Sequence, residues 1–413
     1  MRVWLINEGE NLPGDDNCPR LQRMGLLAFE LSKIDGTEVV WWQSTFNHYQ
    51  KKFRFLEDTT IQLKENLKLI MLHSCGYKRN VSLKRLCHEL ITARRFYTHS
   101  RKEPLPDILV VAMPTIAQAH YAVKYGRNYD IPVFVDLRDL NPDVFVSPFN
   151  GVIKQLVKIG IKPLQYMLGN ALKHADGLIG TTEPYLDWGL KYAGRQRRAN
   201  DRVFYVSYQD NGIVKELSED SRWKKYQNYN GVICCFFGQF GRLVDLDTVI
   251  DAAEICQKND VQAKFLLCGT GELLEYYRNK VKEKDLSNVD LPGWVNKSDI
   301  ADIGILSDVG LMAYKNDDNF NMQMPNKFSE YLSLGLAILL QPSGVMERVI
   351  KDNGCGICYK TAIDLYNAIE MLADNRTRLE DYKQRSRALF EKAFSAEIVY
   401  KEYSEFIIKN IRN

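Results

Sequence analysis

The chain has 413 residues, of which 45% are hydrophobic and 26% charged, and it carries a formal net charge of +3 with a sequence pI of about 8.2. This length exceeds one ordinary domain and predicts two domains of roughly 200 residues each. So mild a positive charge argues against a nucleic-acid-binding protein. No apolar run reaches the ~18 residues of a membrane span, and the sequence starts on a predicted strand, so we expect neither a spanning segment nor a secretory signal.

Nine cysteines, an odd number, are scattered along the chain, and several lie inside apolar runs, such as Cys234, Cys235 and Cys268. This pattern predicts reduced core thiols in a cytoplasmic protein. Cys355 and Cys358 have the spacing of a redox or metal pair. They lack a second pair and a nearby histidine, so we assign them a structural role.

The first half of the chain alternates predicted strands and helices. A strand at 2–7, a helix at 20–31 and a strand at 38–42 form a βαβ unit, and buried parallel strands follow at 108–113 and 133–135. This alternation predicts an open α/β sheet, which binds its ligands at the carboxyl edge of the strands.

Two loops of the first half follow strands and therefore lie at that edge. The loop after the first strand has a glycine and two aspartates, and an arginine that can hold an anion stands at the predicted helix start. These residues are Gly14, Asp15, Asp16 and Arg20. The loop after the second strand contains His48. The alternatives are a solvated loop with a capping aspartate, and an incidental histidine.

Four charges follow the strand at 133–135, and burying such charges without a purpose is costly. They are Asp136, Arg138, Asp139 and Asp143. One interpretation is a structural ion pair between Arg138 and a carboxylate. The other is that Arg138 or Asp139 faces a ligand-binding cleft.

Two segments of the first half combine basic and apolar side chains. Residues 76–103 predict a basic helix with aromatic residues, and residues 152–174 predict an amphipathic helix with lysines. A solvated face is the simplest interpretation of both segments. The alternative is a surface for anionic lipid headgroups.

The alternation restarts in the second half with a buried strand at 231–237, followed by Gly238, Gly241 and Arg242. Glycines between a strand and a helix N-terminus let backbone N–H groups reach a diphosphate, which the helix dipole also favours. The spacing is not the dinucleotide fingerprint, and no acidic residue ends the next strand at 264–268. These two observations disfavour a dinucleotide oxidoreductase.

The most informative stretch is 321–340. Pro325 suits the first turn of a helix that Gly335 ends, and the apolar run after it predicts a buried strand. The residues that share one face of this helix are Asn326, Lys327 and Glu330. Unpaired N–H groups, an ammonium and a carboxylate together suit a phosphorylated, hydroxyl-rich ligand. The alternative is a surface helix with an intrahelical Lys–Glu pair.

This stretch resembles the nucleotide-sugar-binding segment of glycosyltransferase family 4, a family of retaining enzymes with the GT-B fold. In that family a helix glutamate before a small-residue turn and an apolar strand holds the ribose hydroxyls of the donor, and Glu330 occupies that place. The family's partner carboxylate, eight residues earlier, is Met322 here. This departure leaves the identity of the donor open.

Other parts of the chain extend the resemblance. In the family an arginine follows the first glycine of the diphosphate loop, with a lysine five residues further on. Gln239 and Val244 stand in those places, so Arg242 is the nearest replacement and Lys327 supplies the second charge. The residues that match the family's order beyond this loop are Gly269, Gly271, Trp294 and Val295. The last two lie where the family binds the nucleotide base, whereas a core tryptophan is the alternative.

In the first half, the glycine-bearing loop at Gly14 is similar to the family loop that faces the diphosphate and the acceptor. The run that starts at Asp136 resembles one in a bacterial subgroup that transfers sugars to polyprenyl-linked acceptors.

The resemblance implies an α/β GT-B fold, in which two Rossmann-like domains face each other across a cleft and a C-terminal helix crosses back to the first domain. We expect an acceptor domain at 1–212 with the helix at 395–413, and a nucleotide-sugar donor domain at 213–394.

The implied reaction is the retaining transfer of a sugar from a UDP- or GDP-linked donor to a hydroxyl of a glycan or polyprenyl-linked acceptor, in the biosynthesis of bacterial surface polysaccharide such as O-antigen. Residues expected in the chemistry are Asp139, Arg138, Arg242 and Lys327. Helix-end N–H groups and basic side chains would meet the charge of the leaving group, so we expect no metal and no other cofactor. We expect a cytoplasmic protein, peripheral at the inner face of the membrane, without a nucleic-acid partner.

Two alternatives on the same fold stay open. A nucleotide-sugar 2-epimerase would need carboxylates and a histidine in the cleft, for which Asp139 and His48 are placed. A catalytically inactive glycan-binding subunit is compatible with Met322 and Gln239, where the family pattern is broken.

Overall fold

The computed structural model describes most of the chain, namely residues 1–15, 20–146, 149–210, 216–316, 318–341 and 343–411. The chain divides into two compact units. The first comprises Met1–Tyr205 and Val399–Asn413, and the second comprises Val206–Ile398. The predicted domain boundary between residues 212 and 213 lies outside the described residues.

The strands of the first unit are, in chain order, β1 (Arg2–Ile6), β2 (Glu38–Ser44), β3 (Phe46–Asn47), β4 (Lys52–Phe53), β5 (Thr59–Lys64), β6 (Leu67–Leu72), β7 (Ile108–Ala112), β8 (Val133–Leu137), β9 (Gly177–Gly180) and β10 (Arg202–Val203). Its helices before the C-terminal segment are α1 (Arg23–Leu31), α2 (Leu83–His99), α3 (Ile116–Tyr129), α4 (Gly151–Gly160), α5 (Lys162–His174) and α6 (Glu183–Ala193).

Most of these strands form an eight-stranded sheet in the order β10-β9-β8-β7-β1-β2-β6-β5. Its neighbours run parallel except β5 and β6, an antiparallel pair at one edge that the sequence analysis did not identify. Every residue of β7 is buried, as its continuous apolar run predicts. The strand order reverses between β1 and β7, so the loops after these strands border the crevice in which open α/β sheets bind ligands.

The strands of the second unit are β11 (Val232–Gln239), β12 (Ala263–Thr270), β13 (Val289–Gly293), β14 (Val309–Met312), β15 (Ala337–Leu340) and β16 (Gly356–Cys358). Its helices, with the last helix of the chain, are α7 (Leu246–Lys258), α8 (Leu274–Glu283), α9 (Lys297–Leu306), α10 (Asp318–Met322), α11 (Asn326–Ser333), α12 (Val345–Asn353), α13 (Ala362–Asp374), α14 (Arg376–Leu389) and α15 (Ala396–Lys409).

The sheet of the second unit has the order β13-β12-β11-β14-β15-β16, and its strands are parallel throughout. This is the order of a dinucleotide-type doubly wound sheet. It reverses between β11 and β14, so the loops after these two strands border the crevice of the second unit.

Helix α1 begins at Arg23, and the predicted start at Arg20 is wrong. The carboxylate of Glu10 accepts hydrogen bonds from the backbone N–H groups of Met24 (3.0 Å) and Gly25 (3.2 Å). A side chain of the preceding loop therefore satisfies the N–H groups at this helix start and sets where the helix begins.

Helix α15 packs on the first unit, as predicted for the C-terminal helix. The ring of Tyr403 stacks on Phe204 with a centroid distance of 4.5 Å and an interplanar angle of 11°. Phe406 meets Phe134 of β8 edge to face at 5.6 Å. These aromatic contacts bury the apolar face of the helix against the edge of the first sheet.

Strands β11 and β12 approach each other closely, and this generates a stability prediction. Gly269 has a φ of +154°, and a Cβ at this position would lie 1.7 Å from the carbonyl oxygen of Gly238. We expect Gly269→Ala to lower the free energy of unfolding of the second unit by at least about 1–3 kcal/mol. The melting temperature should fall by roughly 2–4 °C for each kcal/mol.

The control is Gly241→Ala in the neighbouring loop, where a Cβ would meet nothing within 4 Å. We expect this variant to melt close to the wild type in differential scanning calorimetry. Equal melting temperatures for the two variants would contradict the close approach of the strands.

Candidate functional site

The carboxyl edge of the second sheet brings two glycine-bearing loops together. Gly238 at the end of β11 lies in register with Gly269 at the end of β12. The N–H of Phe240 donates to the carbonyl of Thr270 at 2.9 Å. A Cβ at Gly271 would lie 2.5 Å from the carbonyl oxygen of Phe240, so the two loops can meet only because these positions are glycine.

The ammonium of Lys327 lies against these loops. Its Nζ is 3.7 Å from the ring centroid of Phe236 and 4.8 Å from that of Tyr314. A Cβ at Gly238 would lie 2.6 Å from this Nζ. Removal from water lowers the pKa of Lys327 to about 7, an effect that the carboxylate of Glu330 partly opposes. The ammonium therefore changes its charge near neutral pH.

Helix α11 starts at the same edge without a side-chain cap. It begins at Asn326 after Pro325 in extended conformation, and Asn326 is exposed while Glu330 is half-buried one turn later. Gly335, with a φ of +65°, ends the helix before β15. The predicted helix, turn and strand are thus confirmed, except that Pro325 precedes the first turn instead of lying in it. Lys327 of the first turn contacts Gly238, so the helix N-terminus lies beside the loop after β11, and a helix N-terminus suits an anion.

Arg242 lies on the loop after β11 with 84% of its side chain exposed. Its Nε is 3.3 Å from an Oε1 of Glu272, which belongs to the loop after β12. Because so exposed an ion pair contributes little to stability, a ligand can recruit the guanidinium at a small cost in free energy.

The side chain of Trp294, directly after β13, is 69% exposed, while Val295 is buried. The alternative interpretation of Trp294 as a core tryptophan is therefore wrong. An exposed indole provides a surface on which a planar base can stack.

In the first unit, the charges after β8 form a buried ion-pair network. Asp136 accepts hydrogen bonds from Nε of Arg23 (2.9 Å) and Nε of Arg138 (2.8 Å), and Arg138 also pairs with Glu10. Burial opposes the ionisation of Asp136, yet the two arginines outweigh it and lower its pKa. Arg138 is thus held between two carboxylates, and its buried Nη2 has no hydrogen-bond partner within the described part of the chain.

Asp139 differs from its buried neighbour. It is half-buried, and its Oδ1 accepts a hydrogen bond from the N–H of Leu140 at 2.8 Å. Burial raises the pKa of Asp139, which that backbone bond and the charge of Arg85 oppose. No ion pair of Asp139 is found among the described residues. This carboxylate is therefore the one in the 136–143 run that a ligand can engage.

The loop after β1 holds its own aspartate in an ion pair. Asp15 contacts Arg54 through Nε (2.6 Å) and Nη2 (2.7 Å). Burial opposes the ionisation of Asp15, but these bonds lower its pKa. Gly14 is exposed with a φ of +90°, and Arg20 is half-buried before α1. Asp16, also predicted as a site residue, lies outside the described residues.

His48 forms a hydrogen bond with Tyr77, in which Nδ1 and Oη are 2.5 Å apart. Burial, together with the charges of Lys51 and Arg85, lowers the pKa of His48 to about 4. The imidazole is therefore neutral at pH 7.

The sequence analysis missed two acidic residues in the loop after β1. Glu10 caps α1 and pairs with Arg138, and Glu8 contacts the buried His88 of α2. Both glutamates lie within four residues of the end of β1, a central strand. The criterion that singled out residues 136–143, charges at the carboxyl end of a strand, would have found them.

Some kinds of site are not found among the described residues. No group of three or more His, Cys, Asp or Glu side chains there has the geometry to hold a metal ion. No helix within the described ranges is long and apolar enough to cross a membrane. The cysteines of this part of the chain are free thiols, with Cys75 and Cys87 exposed and Cys355 buried next to β16.

Residues 218–389, which lie within the second unit, match the family described as glycosyl transferases group 1. No curated protein matches the chain in sequence. The residues described above at the carboxyl edge of the second sheet, from Gly238 to Glu330, all lie inside the matched segment.

Solved structures with a similar fold include Alr3699/HepE from Anabaena in complex with UDP, with a TM-score of 0.67 and 13% identity over 99% of this chain and 100% of that chain. The E. coli trehalose-6-phosphate structure with bound UDP-2-fluoro glucose has a TM-score of 0.69 and 11% identity over 100% of this chain and 99% of that chain. WaaG, a glycosyltransferase involved in lipopolysaccharide biosynthesis, has a TM-score of 0.64 and 12% identity over 98% and 99%.

At these identities the likeness shows the fold alone. It confirms the predicted α/β fold of the GT-B type, with parallel sheets in both units. Together with this fold, the match of residues 218–389 supports a glycosyltransferase.

The electrostatics of Lys327 generate a direct prediction. We expect its side chain to titrate near pH 7 in NMR spectra of the full chain with labelled lysine, assigned with Lys327→Arg. Because Glu330 raises this pKa, Glu330→Gln should lower it further.

The matched control is Glu347→Gln on α12, whose carboxylate pairs with Lys351 at 2.7 Å. It should leave the titration of Lys327 unchanged. A titration near 10.5, the ordinary value for lysine, would show that the ammonium is not buried as described.

Proposed function

We propose that this protein is a retaining glycosyltransferase that moves a sugar from a nucleotide-sugar donor to a hydroxyl group of an acceptor. The observation that carries the proposal is the contact between Lys327 and Gly238 at the carboxyl edge of the second sheet. There an ammonium, two glycine loops and the start of α11 complement a diphosphate. Glu330, one turn into α11, is placed to accept hydrogen bonds from ribose hydroxyls.

The donor in this proposal is a UDP- or GDP-linked sugar. The HepE and E. coli structures hold UDP and UDP-2-fluoro glucose, which supports a nucleotide-sugar donor. Trp294 offers a surface for the base. Met322 stands where family 4 has a second carboxylate, and the neighbouring Asn321 has a buried Oδ1 without a partner among the described residues. We assign to this oxygen the recognition of a donor hydroxyl.

In the proposed reaction the bond between the anomeric carbon and the diphosphate breaks, and negative charge grows on the leaving oxygen. The diphosphate drives Lys327 to its charged form, because an anion favours the protonated ammonium. Arg242 adds a second positive charge from its exposed loop. Since these charges and the loop N–H groups act most strongly on the leaving oxygen in the transition state, the step needs no metal ion.

We assign retention to attack on the front face of the donor. The acceptor oxygen bonds to the anomeric carbon on the side from which the diphosphate leaves, and the departing phosphate takes the acceptor proton. Asp139 orients the acceptor in this proposal and does not attack the sugar. Arg138 keeps this segment in place through its bonds to Asp136 and Glu10.

Incubation with labelled UDP- and GDP-sugars tests the proposal. Release of free nucleotide, with the sugar passed to water or to an added glycoside in the donor's anomeric configuration, supports it. Conversion of the donor into its 2-epimer indicates a nucleotide-sugar 2-epimerase instead. Nucleotide or glycan binding without turnover of any donor indicates a catalytically inactive subunit.

Replacement of Glu330 tests the donor site. Glu330→Gln removes one charge-assisted hydrogen bond, which is worth about 1.5–3 kcal/mol, so the affinity for UDP or GDP should fall roughly 10- to 150-fold in titration calorimetry. The matched control is Glu254→Gln on α7, whose carboxylate pairs with Lys258 at 2.6 Å. An affinity of Glu330→Gln equal to that of the control would remove Glu330 from the site.

We further propose that the acceptor is a lipid-linked glycan of a bacterial surface-polysaccharide pathway and that the protein reaches it from the cytoplasmic side of the membrane. The role of WaaG in lipopolysaccharide biosynthesis supports this pathway class. Helix α4 supports the membrane contact, because it has no buried residue. Four of its five apolar side chains are 57–76% exposed, namely those of Val152, Ile153, Leu156 and Ile159.

The charge of this helix region favours an anionic lipid surface. Lys154 and Lys158 lie on the side of α4 opposite its apolar residues, and Lys162 begins α5. Each contributes about 1 kcal/mol near such a surface, while the apolar side chains enter the headgroup boundary. In α2, the second predicted segment, two basic residues are already paired with carboxylates of the protein. Arg85 pairs with Glu89 and Arg95 with Asp58, each at 2.7 Å. Helix α4 is therefore the stronger candidate.

Vesicle sedimentation tests the contact. The full chain should sediment with anionic but not with neutral vesicles at low ionic strength, and high salt should release it. Replacement of Lys154, Lys158 and Lys162 with Glu should abolish sedimentation. The charge-matched control replaces three exposed lysines of the second unit with Glu, at Lys282, Lys297 and Lys360. Equal sedimentation of both triple variants would contradict a contact through α4.

A further inference from the structure

The loop after β1 holds a buried carboxylate that the donor site does not use. Glu8 lies two residues after β1, and its side chain is only 7% exposed. β1 is one of the two strands between which the order of the first sheet reverses. Glu8 is therefore placed where open α/β sheets bind their ligands.

His88 holds one oxygen of this carboxylate. The backbone N–H of Gly76 donates to Nδ1 of His88 at 3.0 Å, so Nδ1 carries no proton and Nε2 is assigned the hydrogen. Nε2 lies 2.5 Å from Oε1 of Glu8. His88 is itself fully buried, so its ring is fixed by the backbone and in turn fixes the orientation of Glu8.

The second carboxylate oxygen of Glu8 is unpaired among the described residues. Oε2 is buried and has no hydrogen-bond partner among the described residues. The buried carboxylates nearby are fully paired, since both oxygens of Glu10 and both of Asp136 accept hydrogen bonds. A buried charged oxygen without a donor is costly, and a ligand that brings a donor relieves that cost.

The groups around Glu8 leave its Oε2 without a competing partner. The neighbouring His48 is uncharged at pH 7 and bonded to Tyr77, and the cation of Arg85 pairs with Glu89 at 2.7 Å. Burial, and next the charge of Glu8, raise the pKa of Glu89 to about 7, an effect that Arg85 and His88 oppose. A hydrogen-bond donor such as a hydroxyl group is the partner that Oε2 lacks.

We propose that Oε2 of Glu8 accepts a hydrogen bond from a hydroxyl group of the acceptor sugar and that His88 positions the carboxylate for it. The assignment to the acceptor rests on the proposed function. The site itself calls for a hydrogen-bond donor, and a sugar hydroxyl supplies one.

Ligand-observed NMR with the full chain and a panel of methyl glycosides of glucose, galactose and mannose, without nucleotide, tests the site. Glu8→Gln keeps the bond to His88 through its amide oxygen but replaces the open acceptor with an NH₂ donor. We expect the affinity for the bound glycoside to fall at least about tenfold. Failure of the wild type to bind any glycoside, or equal binding by wild type and variant, overturns the proposal.

Monodeoxy versions of the bound glycoside identify the hydroxyl. Removal of one hydroxyl should weaken binding to the wild type by about tenfold and should not weaken binding to Glu8→Gln further, because both changes remove the same bond. If Glu8 had only a structural role, the removal of each hydroxyl would weaken glycoside binding by the same factor in the wild type and in Glu8→Gln.

Two further variants keep the test decisive. Glu89→Gln changes a neighbouring carboxylate that is already paired and should keep the glycoside affinity of the wild type. If circular dichroism shows that Glu8→Gln does not fold, Glu8→Asp is the second variant. It keeps the charge but places the carboxylate one methylene closer to the backbone, so it should bind the glycoside at least about fivefold more weakly than the wild type. Unchanged affinity of a folded Glu8→Asp overturns the proposal.

The role of His88 is tested by a pair of substitutions. His88→Gln retains a donor towards Glu8 and should keep glycoside affinity within about threefold, whereas His88→Leu should bind as weakly as Glu8→Gln. Equal glycoside affinities of His88→Gln and His88→Leu would show that His88 does not position Glu8. Wild-type protein that binds glycosides but no nucleotide would contradict the proposed function and leave the Glu8 site standing. Wild-type protein that binds nucleotide but no glycoside would contradict the Glu8 site and leave the proposed function standing.

Discussion

The arrangement at the carboxyl edge of the second sheet depends on the Lys327 ammonium. It lies over the ring of Phe236 and occupies the space that a side chain at Gly238 would fill. Removing a lone ammonium from water is unfavourable, and the aromatic faces and Glu330 compensate for it only in part, as the lowered pKa of Lys327 shows. In the proposed function, a diphosphate supplies the missing negative charge. The glycine, the aromatic ring and the short helix α11 are therefore parts of one arrangement.

The N-termini of α1 and α11 differ in what satisfies their N–H groups. In the first unit, the carboxylate of Glu10 fills the N-terminus of α1. In the second unit, Asp245 caps α7, but α11 starts without a side-chain cap. An anion is thus favoured at α11. In the first unit, Oε2 of Glu8 is a buried acceptor without a partner among the described residues, and we propose a hydroxyl group as its donor.

Local patterns predicted several elements that neighbours in sequence decide, although not the antiparallel pair of β5 and β6. The helix from Asn326, its end at Gly335 and the strand after it follow from spacing and turn chemistry, and the sheet architecture follows from the buried apolar runs. The partners of the charged residues could not be predicted from these local patterns. Arg138 meets Glu10 and α1 starts at Arg23 because of contacts between residues far apart in the chain, which no periodicity encodes.

The most direct measurement of the central claim is a crystal structure of the full chain grown with UDP or GDP. We expect the diphosphate against Nζ of Lys327 and the N–H groups of the loop from Gly238 to Gly241, with a ribose hydroxyl on Glu330 and the base at Trp294. A nucleotide bound with its diphosphate away from Lys327, at the amino edge of the sheet or in the first unit, would contradict it.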